Sequence, residues 1–224
     1  MYCTLMSDMT VLHPHEWYDC TGMSSSLRAS RSGREAGFAH LRKEVELVEE
    51  MKKYKIKALG LSETRRKGVG QKDLDGGYVM RYSGIPEGRR ASGGVAIVMD
   101  GDINTRVKSW EAVSPRIIRV DLDLEEKISI IQVYGPTEDA SVAEKDEFWL
   151  QLDRVTIEAE ETRKLVVMGD FNGRVGSDQQ DGLGSMGKYG CETIRNNNGQ
   201  RLIEYSAQHN LLIGNTWFIH KRIH

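Results

Sequence analysis

The chain has 224 residues, 39% of them apolar and 29% charged, with a formal net charge of −2. That length and apolar content suit one large domain with its own core, and they exclude wholesale disorder. No run approaches ~18 consecutive apolar residues, which excludes a membrane-spanning helix. Residues 1–34 are rich in Ser, Met, Cys, His and Arg without sustained periodicity. They are expected to form a loosely ordered leader, without the basic start and apolar centre of a signal peptide. The domain proper is expected over 35–224. From Glu35 to Tyr54, Phe38, Leu41, Val45, Val48 and Met51 recur at helical spacing. Ile56–Leu61 is a short apolar run ending at Ser62-Glu63, the signature of a buried strand. Residues 65–77 are polar and Gly-rich, hence loop. Tyr78–Tyr82 and Val95–Met99 read as strands around a loop at 84–93. Ile117–Leu124 and Ile128–Val133 read as a hairpin turning at Glu125-Glu126.

Ser141 and Glu144 form a capping box, and the helix behind it buries Phe148, Leu152, Val155 and Ala159. Leu165–Met168 is another buried strand, followed by Gly169-Asp170. Residues 172–200 read as a long polar loop. A short helix is expected over Leu202–His209 and a last strand over Leu211–Ile213. Strands in runs with helices between some of them indicate an α/β sheet or sandwich, mixed rather than purely parallel.

Charge is uneven. Residues 41–90 hold 13 Lys/Arg against 8 Asp/Glu, and residues 137–161 hold 2 against 9. The overall balance argues against a protein coated in basic charge. The basic stretch nevertheless surrounds the most informative carboxylate, Glu63. Three apolar strands end in polar groups: one at Glu63, one at Tyr134, and one at Asp170 with Asn172 beyond. Ligands of α/β sheets gather at the carboxyl ends of strands. A carboxylate held just past a buried strand suits a hard cation such as Mg²⁺. The plainer alternative is a local turn, which Asp-x-Asn makes readily.

Leu61-Ser62-Glu63-Thr64, Val133-Tyr134-Gly135-Pro136 and Met168-Gly169-Asp170-Phe171-Asn172 occur in that order. They resemble the endonuclease/exonuclease/phosphatase superfamily of Mg²⁺-dependent phosphoesterases. The wider segments 63–68, 134–140, 144–148 and 213–216 look like the endonuclease domain of RTE/BovB-type non-LTR retrotransposons, and the likeness runs over roughly 40–224.

The resemblance implies a four-layer α/β sandwich of two mixed sheets flanked by helices. It also implies a metal-assisted hydrolysis of phosphodiester bonds in DNA. Glu63 would bind Mg²⁺, with Mn²⁺ as a substitute. Tyr134 would hydrogen-bond the scissile phosphate, Asp170 would stand near the leaving oxygen, and Asn172 would steady the phosphate or the water. Arg65, Arg66, Lys67, Arg89 and Arg90 would meet backbone phosphates, which reward cationic side chains whatever the sequence.

Two departures shape the expectation. Residues 1–40 contain no asparagine, whereas the family opens on a strand bearing one at the metal site, so that first strand is expected to be missing. The family's closing strands and their Ser-Asp-His motif are also expected to be missing, since six residues follow Phe218. Neither His220 nor His224 sits where the catalytic histidine would come. The expected molecule is therefore an incomplete endonuclease domain with crippled activity, without membrane or organic cofactor. It would be intracellular, since three scattered cysteines suit a reducing compartment, and a DNA substrate would place it in the nucleus. The alternatives are a non-catalytic relic or domesticated nucleic-acid-binding protein, and a small phosphoester phosphatase.

Other signals are weak. Gly182–Gly187 fits Gly-x-Gly-x-x-Gly but neither follows a strand nor opens a helix, so it is no dinucleotide site. Arg174 and Val175 break a calcium loop beginning at Asp170. Cys3, His13, His15 and Cys20 match no standard zinc spacing.

Overall fold

The computed structural model describes residues 3–7, 36–88, 93–160, 163–178, 182–190 and 194–218. In chain order the elements are β1 (Cys3–Ser7), α1 (Ala36–Lys53), β2 (Ala58–Ser62), β3 (Val69–Asp73), β4 (Val79–Ser83) and β5 (Val95–Met99). They continue with α2 (Gly101–Asn104), β6 (Val107–Ser114), β7 (Ile117–Asp123) and β8 (Lys127–Tyr134). The last are α3 (Val142–Glu160), β9 (Lys164–Asp170), α4 (Asn197–Gln208) and β10 (Leu211–Ile213).

Two sheets stack face to face. One has six strands in the order β10-β1-β9-β8-β7-β6, the other four in the order β2-β5-β4-β3. Between them lie Val95, Ile97 and Met99 of β5, Ile118, Val120 and Leu122 of β7, and Ile130 of β8. α1 covers the outer face of the four-stranded sheet with Leu47, Val48 and Met51. α3 and α4 cover the other with Phe148, Leu152, Val155, Ala159, Leu202 and Ile203. This is the expected four-layer α/β sandwich. Of the two sheets only the six-stranded one is mixed: β8 and β9 run parallel, joined through α3, while every pair in the four-stranded sheet is antiparallel. The physical reason is connection length, since parallel neighbours need a long crossover, which α3 supplies between β8 and β9, whereas the four-stranded sheet has no helix of eight or more residues between its strands.

The hairpin at Glu125-Glu126, the capping box and the last strand come out as expected. Ser141 Oγ accepts from the Glu144 amide at 3.3 Å, and Glu144 accepts from the Ser141 amide at 3.2 Å. The expected absence of a first strand is corrected. Cys3–Ser7 pairs antiparallel with both β9 and β10, in the interior of the six-stranded sheet. Five residues with a single β-branched member carry little strand signal, and β1 draws its stability from two ready neighbours rather than its own composition. β3 and β6 were also hidden. Both are edge strands, and the alternately exposed pattern of Val69–Asp73 is what an edge tolerates. α4 begins five residues earlier than expected, because Asn196 caps it by accepting from the Gly199 amide at 2.8 Å.

Candidate active site

At one end of the sandwich β2, β8 and β9 finish close together. The sheets are pinned there by a buried polar link. Gln132 Nε2 donates to Ser62 Oγ at 3.0 Å and to the Val133 carbonyl at 3.2 Å. Ser62 Oγ donates to the same carbonyl at 3.1 Å. The end of β2 is thereby tied to the end of β8, one residue before Glu63 on one side and one before Tyr134 on the other.

Glu63 leaves β2 in the left-handed region, with φ 55°, and Arg65 follows with φ 52°. The turn is held by the Thr64 amide donating to the Gly94 carbonyl at 3.1 Å and the Arg65 amide to the Gly93 carbonyl at 2.8 Å. Gly94 is obligatory here: its φ is 88°, and a Cβ would stand 2.6 Å from Thr64 Oγ1. Asn172 is also left-handed, at φ 50°. Strained backbone of this kind clusters where surrounding structure holds a functional geometry.

The four expected residues are brought together. Tyr134 Oη donates to Glu63 Oε1 at 2.8 Å. Tyr134 and Asp170 are register partners at the end of the parallel pair. Asp170 does make the local turn, its Oδ1 accepting from the Asn172 amide at 2.9 Å. Asn172 Nδ2 reaches back to the Gly135 carbonyl at 2.9 Å. Burial, then the Glu63 hydrogen bond, then the nearby charges of Glu63 and Asp170 push the Tyr134 phenol up to about 12, against a smaller opposing effect of Arg116. Tyr134 is therefore a firm proton donor at neutral pH.

The basic residues separate. Arg65 and Lys67 are exposed beside Glu63. Arg66 turns inward: it ion-pairs with Glu44 of α1, which Lys72 also holds at 2.6 Å, and its guanidinium lies 5.1 Å from the Tyr82 ring centroid. Arg89, Arg90, His220 and His224 lie outside the described residues.

Arg116 escaped the sequence reading. Its Nη1 donates to the Tyr134 and Gly135 carbonyls at 3.1 and 3.2 Å, and its guanidinium sits 5.5 Å from the Tyr134 ring centroid. A lone arginine in a turn between two strands carries no signal of this in sequence.

Among the described residues no three His, Cys, Asp or Glu side chains cluster as a metal cage. Mg²⁺ seldom uses one; it is held by one or two carboxylates with waters and substrate phosphates completing the shell. Glu63, exposed at the end of β2 and hydrogen-bonded to Tyr134, is one carboxylate of that kind. His209 is the one histidine whose side chain is described, and it is remote. It pairs with Asp153 at 2.8 Å beyond the far end of α4, roughly 17 Å along the axis from the residues that meet Asn172.

The chain is a relative of craniofacial development protein 2. It is 30% identical to the Bos taurus protein over 171 residues, covering 76% of this chain and 28% of that protein. To the Tragulus javanicus protein it is 29% identical over 171 residues, covering 76% and 29%. The chain thus spans less than a third of the length of the curated relatives it matches. No family model matches it. Among the described residues no helix is long and apolar enough to cross a membrane.

Proposed function

We propose that the chain is a metal-assisted phosphodiesterase domain acting on DNA, of the endonuclease/exonuclease/phosphatase type and of retrotransposon descent. The observation that carries this reading is the meeting of Glu63, Tyr134, Asp170 and Asn172 from three strand ends, with Tyr134 hydrogen-bonded to Glu63. Glu63 would hold Mg²⁺ or Mn²⁺, with Asp170 near the leaving oxygen. When bound, the ion supplies neutralisation of the charge developing on the phosphate and leaving oxygen. Tyr134, protonated throughout the physiological range, would turn its single O–H from Glu63 to a phosphate oxygen when substrate enters. Asn172 spends one amide hydrogen on Gly135 and keeps the other for substrate. Arg65, Lys67 and Arg116 offer positive charge to the flanking phosphates, and a DNA substrate implies nuclear residence.

No histidine stands at the site among the residues whose side chains are described. Cleavage by these residues alone is therefore slow, about 10²–10⁴-fold below a site with a positioned general base. Supercoiled plasmid incubated with purified chain and Mg²⁺ or Mn²⁺ should accumulate nicks, and Glu63→Gln should abolish them. Absence of metal-dependent nicking on prolonged incubation, or nicking indifferent to Glu63→Gln, rejects the reading. The exposed Arg65 and Lys67 also suit a second reading, a non-catalytic nucleic-acid-binding module. That reading requires salt-dependent retention of DNA without nicking. Faster release of phosphate from mononucleotides than nicking of DNA would instead mark a small phosphoester phosphatase.

A further inference from the structure

The β8–β9 ladder ends at Tyr134 and Asp170. Beyond it the chain makes two turns, one after Tyr134 and one after Asp170, and the site needs them in fixed relation. The N-terminus of α4 joins them. Asn198 is 1% exposed; its Nδ2 donates to the Pro136 carbonyl at 2.9 Å in the first turn and to the Asn172 carbonyl at 3.4 Å in the second. Asn196 Nδ2 donates to the same Asn172 carbonyl at 3.0 Å, and its Oδ1 accepts from the Arg174 amide at 2.8 Å. Glu138, in the first turn, accepts from the Asn197 and Asn198 amides at 3.3 and 3.4 Å. Gly199 lets the helix come this near, since a Cβ there would stand 1.8 Å from the Arg174 carbonyl.

Asn198 Oδ1 is buried without a hydrogen-bond partner among the described residues. An orphaned buried acceptor is a standing cost. An apolar side chain would fill that space without it, so the amide is there for its donors, both spent on the carbonyls of the two turns. We propose that Asn198 is a positioning residue that sets the separation between the turn behind Tyr134 and the turn bearing Asn172. The catalytic consequence rests on the proposed phosphodiesterase reading; the clasp itself does not.

Two variants test it. Asn198→Asp keeps shape but sets an oxygen against both carbonyls. Asn198→Ala removes both donors without setting an oxygen against the carbonyls, and it decides the matter where Asn198→Asp does not fold. Hydrogen exchange should quicken by about tenfold in residues 135–140 and 171–175 and stay unchanged in β2–β5. In Mg²⁺-dependent nicking, kcat should fall about 10²-fold, as for a misplacement near 1 Å, with KM within about threefold. Unchanged exchange in both turns, or an active enzyme with unchanged kcat, overturns the proposal. A wild-type chain that never nicks rejects the phosphodiesterase reading alone, and exchange then decides the clasp.

Discussion

Gly169 offers the sharpest test of how the site is built. It precedes Asp170 on β9 with φ 137°, a conformation that side-chain-bearing residues rarely adopt. A Cβ added there would stand 2.1 Å from the Val133 carbonyl oxygen and 2.9 Å from the Val133 nitrogen. Both are backbone atoms of the paired strand, so no rotamer change relieves the clash. The strands must part by roughly 1 Å at the register pair Val133–Gly169, beside the Gly135 amide that donates to the Asp170 carbonyl at 2.7 Å. Forcing the backbone costs about 1–3 kcal/mol, and two weakened ladder bonds add about 1 kcal/mol each. Gly169→Ala should therefore lose about 3–5 kcal/mol of stability, a large share of the ~5–15 kcal/mol typical of a domain. At ~2–4 °C per kcal/mol for a chain of this size, Tm should drop by about 10 °C. Thermal unfolding followed by circular dichroism measures it directly. A Tm within about 2 °C of wild type would refute both the close β8–β9 approach and the account of why Tyr134 and Asp170 stand together.

Arg65 and Arg66 should behave oppositely despite adjacency. Arg65→Ala should lower DNA affinity and reduce the salt slope by about 1 with unchanged Tm, whereas Arg66→Ala should leave Glu44 short of a partner and cost about 1–2 kcal/mol; an unchanged salt slope for Arg65→Ala would remove it from the DNA surface. Acid stability should report Asp121. Burial raises its carboxyl, but hydrogen bonds from Arg119, Ser129 and Ser109 and the Arg119 charge outweigh that and hold it below the ordinary 3.8. A lowered folded value means the contribution is fully present above the unfolded value and lost as pH falls through the folded one. Asp121→Asn should therefore be less stable by about 3 kcal/mol from pH 5 to 8, with the gap closing below about pH 4. A gap independent of pH in chemical denaturation would contradict the assignment.

The sequence determined the parts whose signal is local. The apolar stripe of α3 and its capping box, the hairpin of β7 and β8, and the polar residues ending β2, β8 and β9 are all readable because spacing and capping act over a few residues. What remained hidden depends on partners far along the chain. β1 is five unremarkable residues made a strand by neighbours more than 150 positions away. β3 and β6 are edges, where one polar face leaves little periodic contrast. The length of α4 was obscured because an asparagine run reads as loop until one of its members is seen capping the helix. The basic stretch near Glu63 looked uniform in sequence, yet only tertiary structure turns Arg66 inward to Glu44 and leaves Arg65 and Lys67 outward. Arg116 and Asn198 carried no signal at all, because what they do is hold carbonyls that the fold alone brings within reach. Residue type fixes what chemistry is available at Glu63, Tyr134, Asp170 and Asn172. Packing of the two sheets, through Gln132 and Ser62, decides that those groups face one another.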